Sequence, residues 1–221
     1  MEAANLKTRR VTNFHEVEIP KSIQGAESHD YWGFLYLGIK ILDPKVVEIE
    51  SKPEHIRGAN GKAFLPHLRY QTHDHVNTYV VLGASKDLLE KRARIEPLLA
   101  SFASQRRAQY EFVTHEQIQT ERRWAWLGIK VSRRVQQYAD VNLDRERRSV
   151  HKTVDHYGDV SIEALVHAAG SSPSEWVIAA ACGMLINGQL AVVDRNAGLD
   201  LRMKVRSGPR FDRALEAIGR G

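Results

Sequence analysis

Residues 158–204 read GDVSIEALVHAAGSSPSEWVIAAACGMLINGQLAVVDRNAGLDLRMK, and their punctuation decides the fold of the C-terminal half. Just upstream, Val150, Val154 and Tyr157 recur at helical spacing. That spacing predicts a helix over 145–157, which Gly158 ends in the left-handed conformation. A second helix starts near Ser161. Ile162, Leu165, Val166 and Ala169 share one of its faces, and Gly170 closes it. The third has the strongest start signal: Ser172 as cap, Pro173 at the first helical position and Glu175 as the capping-box carboxylate. Trp176, Val177, Ala180, Met184 and Leu185 form its apolar stripe. Leu190 to Val193 then reads as a strand and Asp194 to Gly198 as a turn. Leu199, Leu201, Met203 and Val205 alternate with Asp200, Arg202, Lys204 and Arg206, the pattern of a half-buried strand with a mostly basic outer face. The expectation is an α-rich winged helix-turn-helix domain over 143–206.

Units of this kind often lay the third helix in a DNA major groove. This one carries no Arg or Lys from Ser172 to Gln189, which makes it a poor base reader. The remaining uses are phosphate contact through the basic wing, or docking to protein.

Charge favours a polyanionic partner. The 221 residues carry a net +5 with a pI near 9.3. The arginines cluster in pairs at 9–10, 106–107, 122–123, 133–134 and 147–148. An apolar content of 43% is enough for a core. Cys182 is the single cysteine, so no internal disulfide and no Cys-based zinc site can form, and a buried thiol is expected. No run approaches the ~18 apolar residues of a membrane span, and the N-terminus lacks a signal-peptide apolar core. The expected location is the cytoplasm, in association with the nucleoid.

Ahead of the winged-helix region, residues 1–27 read as a polar arm. Tyr31 to Leu42 is dense in aromatic and aliphatic residues. Residues 45–50 alternate as a strand, 58–61 form a turn, and 62–70 are extended with Pro66 marking an edge or bend. Residues 77–83 form a buried strand. Residues 87–107 are helical, with Pro97 expected to kink or split the helix. Residues 110–113 form a strand, and Thr114 caps a short helix. Strand, helix, strand implies a parallel crossover beside a hairpin, and hence a mixed-sheet α/β domain over 28–120. Residues 121–142 read as a basic connector and 207–221 as a tail. Trp124 and Trp126 sit between arginine pairs, where indoles either stack on bases or pack one domain on the other. Packing is the expectation.

The landmarks in order are Phe34-Leu35-Tyr36-Leu37, Asp43-Pro44-Lys45-Val46-Val47, Gly61 to Pro66, the strand at 79–82, the long helix, and Tyr110 to Thr114. Over 28–205 they resemble the TnsA-type endonuclease subunit of heteromeric transposases. The resemblance implies a restriction-endonuclease-like fold whose motif is an early Glu on a helix, then Pro-Asp, then Glu-x-Lys on the next strand. In such a site carboxylates from three elements hold Mg²⁺, which polarises the phosphate and activates water, and the lysine steadies developing charge. Here the corresponding positions are Asp30, His67, Val81 and Gly83. Valine and glycine bind no Mg²⁺ and replace no lysine, so a degenerate nuclease with no catalytic residues is expected.

The expected function is therefore a non-catalytic DNA-binding protein of mobile-element origin, a pseudo-nuclease acting as transposition subunit or regulator. Its partners would be double-stranded DNA and other mobile-element proteins such as a transposase, with no cofactor. The expected phosphate contacts are Arg122, Arg123, Arg133, Arg134, Arg145, Arg147, Arg148, Arg195, Arg202, Lys204 and Arg206. One alternative is an active Mg²⁺-dependent nuclease with a migrated site built from Asp30, Asp74 and Glu90 or Glu96. Another is a protein-docking module without DNA contact. His67, His73, Asp74 and His75 have transition-metal ligand chemistry. The last three read as one exposed turn, so no metal site is expected.

Overall fold

The computed structural model describes residues 15–17, 21, 26–28, 31–51, 53–57 and 63–211. Arg9-Arg10, Asp30, the 58–61 turn and most of the tail lie outside the described residues.

A short antiparallel pair, β1 (His15–Val17) and β2 (Ala26–Ser28), precedes α1 (Tyr31–Ile41). After β3 (Val46–Glu50), a small hairpin forms from β4 (Ile56–Arg57) and β5 (Ala63–Phe64). The extended piece over 62–70 divides there. Pro66 separates β5 from β6 (Leu68–Thr72), because proline donates nothing to a ladder. β7 (Asn77–Gly83) follows, then α2 (Ser85–Arg106), β8 (Gln109–Thr114) and α3 (His115–Thr120). The sheet order is β3-β6-β7-β8. The first three strands are antiparallel, and β8 joins β7 in parallel after the α2 crossover. β7 is an inner strand of this sheet. Its residues Thr78 to Leu82 are all buried, as a strand covered on both faces requires. α2 runs through Pro97 as one helix, so the expected split does not occur. Thr114 builds the full capping box of α3 with Gln117.

The largest departure from expectation is the basic connector. Residues Arg122–Gln137 are a 16-residue helix, α4, with Ala125, Leu127, Gly128, Ile129, Val131 and Ser132 buried. α4 packs against α1 on one side and α7 on another. Where α4 meets α1 the backbones nearly touch. A Cβ added to Gly38 would lie 2.2 Å from the Ala125 carbonyl oxygen, and one added to Gly128 only 2.0 Å from that of Gly38. Two glycines permit an approach that any side chain would block. The result is one continuous core running from Phe34 through Ile129 and Met184 to Phe211.

The C-terminal part consists of α5 (Asp144–Tyr157), β9 (Val160–Ser161), α6 (Ile162–Ala168), α7 (Ser174–Ile186), β10 (Leu190–Val192) and β11 (Lys204–Ser207). β11 lies between β10 and β9, antiparallel to both. Ser161 caps α6 by accepting from the Ala164 N–H, and Gly170 follows it at φ +63°. Several expectations are corrected here. Ser172 does not cap α7, which has no side-chain cap. Its buried hydroxyl instead donates to the buried Glu146 carboxyl group on α5, at 2.7 Å, which satisfies two buried polar groups at once. Glu175 is exposed. Tyr157 is 70% exposed rather than on the buried face, and Gly158 takes φ +75°, ψ −110° rather than the left-handed helical conformation. The strand expected over 199–206 begins only at Lys204. The Asp200 carboxylate accepts from the Arg202 and Met203 N–H groups at 2.8 and 3.1 Å, folding 200–203 into a turn and leaving Leu201 exposed.

From Val177 onward α7 is buried nearly all round, while its first turn is exposed, and with it Trp176, expected on the apolar stripe. Val177, Ala179 to Cys182 and Met184 to Ile186 are covered by α4, α5, α6 and β10. An all-round apolar helix belongs in a core, not in a groove of DNA. No helix among the described residues is long and apolar enough to cross a membrane.

Candidate nucleic-acid interface

The buried arc of α4 leaves the opposite arc to solvent. At 3.6 residues per turn, Arg122, Arg133, Trp126, Gln137, Lys130, Arg123 and Arg134 fall within about 120° of one another. Arg122, Arg123, Lys130 and Arg133 are exposed or partly so, and Trp126 and Arg134 half-buried. The loop between β10 and β11 folds back against this face. Together they form an open cleft of about 470 Å³, lined by Arg122, Arg123, Trp126, Leu127, Lys130 and residues 196–199 of the loop. Among the described residues, no acidic side chain lines it, and Arg122, Arg123 and Lys130 have no hydrogen bond or ion pair. Three uncompensated cations on one wall create a local positive potential.

The two tryptophans separate. Trp124 lies under the Arg195 guanidinium, 5.0 Å from its ring centre, and Arg195 also reaches Glu121 at 3.4 Å. Trp126 packs edge to face with Phe34, ring centres 5.8 Å apart, and also lines the cleft. Both indoles therefore pack the helix onto its surroundings, and of the two Trp126 lines the cleft.

Of the expected phosphate contacts, the fold brings Arg122 and Arg123 together with the β10–β11 loop. Arg133 and Arg134 continue the same face, Arg134 donating to Gln137 at 3.3 Å. Arg145, Arg147 and Arg148 are on α5, which packs on α6, α7 and β11. Each has a local partner: Ser171 for Arg145, Asp144 for Arg147, and the Asp144 carbonyl for Arg148. Arg202, Lys204 and Arg206 are exposed, the last two flanking buried Val205 on β11. Lys130 was missed. Its signal is the four-residue step from Trp126, legible only once the segment is read as a helix.

A second cleft, of about 310 Å³, lies where β7 ends. Trp32, His67, Leu82, Gly83, Ala84, Asp87, Leu88, Lys91 and His115 line it. The lining comes from α1, β7, α2, α3 and the segment before β6, and it includes positions 67 and 83. His67 Nδ1 accepts from the Leu82 N–H at 3.1 Å, and Trp32 stacks on His115 with ring centres 4.5 Å apart. Val81 does not face this cleft: it is fully buried in a second apolar cluster with Ile56, Tyr79, Leu88, Ile95 and Leu99. Of the carboxylates of the alternative, migrated site, Asp30 lies outside the described residues, and Asp74, Glu90 and Glu96 have separate surroundings. Asp74 sits in the β6–β7 turn between exposed His73 and His75, at the far end of the hairpin from His67, roughly 20 Å along the strand. The Thr72 hydroxyl holds its carboxyl below the usual range. Glu96 is engaged by Arg92 at 3.0 Å, and Glu90 is exposed on α2. Among the described residues, no three His, Cys, Asp or Glu side chains are grouped to hold a metal ion.

Other charged groups serve the sheet. Arg69 on β6 reaches Glu48 and Glu50 on β3, each at 2.7 Å, and Asn77 on β7 at 2.6 Å. Behind the sheet, the Tyr36 phenol donates to Glu111, Lys40 lies 3.6 Å from the same carboxylate, and burial pushes the phenol's pKa up. These cross-element ties hold α1 on β8, and among the described residues they leave Arg122, Arg123 and Lys130 on α4 as a concentration of charge with no ion-pair partner. A comparison with protein-family models found no match to the chain, and a comparison with curated proteins found none either.

Proposed function

We propose that the protein is a non-catalytic DNA-binding protein of mobile-element origin, a pseudo-nuclease that serves a transposition machine as subunit or regulator. The observation that carries the DNA-binding part is the acid-free basic face where α4 meets the β10–β11 loop. The order α1, β3, β6, β7, α2, β8 supports the reading of a restriction-endonuclease-like core. The order α5, β9, α6, α7, β10, β11, with β11 central, supports a winged helix. Together they favour the TnsA-type resemblance. The loss of catalysis rests on residue chemistry at the β7 cleft: an imidazole turned to the backbone at 67, a core valine at 81 and no side chain at 83.

On this reading α7 reads no bases, because its sides are buried. Binding is phosphate neutralisation by α4 and the wing, and is sequence-tolerant. The test is fluorescence anisotropy of a duplex across a salt series, with and without Mg²⁺, the same samples being run on a denaturing gel. Expected are a steep salt slope, intact strands, and a slope shallower by about 2 in the Arg122→Glu/Arg123→Glu double variant. Strands cut only with Mg²⁺, or a duplex affinity that ignores both arginines, would overturn the proposal.

A further inference from the structure

We infer that the cleft between α4 and the β10–β11 loop holds one unpaired nucleotide, its base against Trp126 and its phosphates on Arg122, Arg123 and Lys130. This rests on the DNA-binding reading and specifies what the same face takes.

The chemistry of the lining selects the ligand. Three cations without partners among the described residues call for more than one negative charge. Beside them Trp126, Leu127 and Leu199 provide an aromatic and apolar wall, which a bare phosphate would leave unused. A ligand with an anionic end and a flat, apolar end satisfies both, and a nucleotide is that ligand. A volume of about 470 Å³ lies in the range of ordinary small-ligand sites. Base–aromatic stacking is tolerant of base identity, so a base against Trp126 needs no base-specific contact.

A paired base cannot enter. In a duplex both faces of each base are covered by the stack, and only phosphates and groove edges are offered. The cleft therefore discriminates an unpaired position from a continuous helix, while the rest of the α4 face serves either. The contrast with Trp124 sharpens this. Arg195 covers Trp124 and is paired to Glu121, whereas the cations beside Trp126 have no partner among the described residues.

The nucleotide can come from a DNA strand or from the free nucleotide pool, and one experiment separates these. A fifteen-residue oligo-dT, a blunt duplex of equal length and free dTMP are bound to the wild type, Trp126→Leu and Trp126→Phe at low salt. Leucine keeps an apolar contact for Phe34 and removes the ring, and phenylalanine keeps a smaller ring. The expected result is oligo-dT binding weakened about tenfold in Trp126→Leu, with duplex binding changed less than twofold. Oligo-dT should also quench wild-type tryptophan emission, and that quench should vanish in Trp126→Phe while binding is largely kept. dTMP competing at concentrations near the oligonucleotide's own would assign the free nucleotide, and competition by the strand alone would assign DNA. The inference is overturned if Trp126→Leu weakens duplex and oligo-dT alike, if it weakens neither, or if the quench persists in Trp126→Phe, the readout that stands should the leucine variant fail to fold. Duplex binding intact with these failures removes only the nucleotide site. No binding of either DNA by the wild type removes the DNA-binding reading as well.

Discussion

Replacing Gly128 by alanine tests whether α4 is a strut of the core or a mere linker. The new Cβ would sit 2.0 Å from the Gly38 carbonyl oxygen and 2.8 Å from its carbon, about 1 Å inside the closest approach that real Cβ atoms show. Both obstructing atoms are backbone, so no rotamer change relieves the clash. α1 and α4 must move apart, opening the contact between Ala125, Ile129 and the buried face of α1. Overpacking of a tight core costs about 1–3 kcal/mol, and a backbone clash belongs at the upper end. Alanine's better helix propensity returns about 1 kcal/mol. The net expectation is a loss of about 2 kcal/mol, or roughly 1 M in the urea midpoint at a typical slope. Gly183 supplies the control. It lies inside α7, and a Cβ added there would meet nothing within 4 Å, so Gly183→Ala gains propensity without a clash and raises stability by up to about 1 kcal/mol. Urea unfolding followed by circular dichroism reads both. A Gly128→Ala midpoint at or above wild type would refute the close crossing, and with it the single core that joins the two halves of the chain.

Three further outcomes are expected. Charge reversal at Arg202, in the turn before β11, and Lys204, on β11, both exposed, should on the proposed DNA-binding reading weaken duplex binding about equally for all sequences, read by anisotropy on unrelated duplexes, and unchanged affinity removes this strand and its loop from the interface. Cys182 is 1% exposed and its thiol is pushed up to about 12 by burial; it should resist a thiol-directed disulfide reagent at pH 8 in the native state and react at once in urea, since the thiolate is the reactive form. Lys21, whose ammonium donates to the Asp43 carbonyl at 3.0 Å, is lowered from 10.5 to about 8, chiefly by burial, with Asp43 opposing and Arg210 assisting. Between those pH values the unfolded chain holds more protons, so stability should rise with pH from about 8 to 10.5, with the cost of the buried charge fully present below 8. Lys21→Met should flatten that rise and stabilise the protein at pH 7, and an unchanged profile would contradict a buried ammonium.

Local signals carried a large share of the architecture. Gly158 and Gly170 sit at positive φ where helices end, Thr114 builds its capping box, and the alternation or apolar run of a strand located β3, β7 and β8. These features depend on neighbours a few residues away, which a sequence displays directly. The errors share one cause. Ser172 carries a good cap signal, yet Glu146, 26 residues earlier, captures its hydroxyl. Leu199 to Val205 alternates correctly, yet the Asp200 turn and the packing of the loop against α4 shorten the strand. The basic face of α4 was visible as arginine pairs, but Lys130 and the cleft were not, because the segment's period was hidden by reading it as a connector.

The amino-acid sequence by itself determined most of the element types outside 121–142 and 199–203, the mixed α/β character, the buried cysteine and the concentration of positive charge around 122–134, all of which follow from composition and short-range pattern. Only the tertiary structure decided which surfaces stay open. It placed α4 between α1 and α7, buried the sides of α7, covered Trp124 with Arg195, and set Trp126 beside three cations that have no partner among the described residues. Each of those outcomes depends on which distant segment fills the space next to a side chain, and the physical terms that settle it, close backbone approach at Gly38 and Gly128 and apolar burial along α7, act between residues that are far apart in the chain.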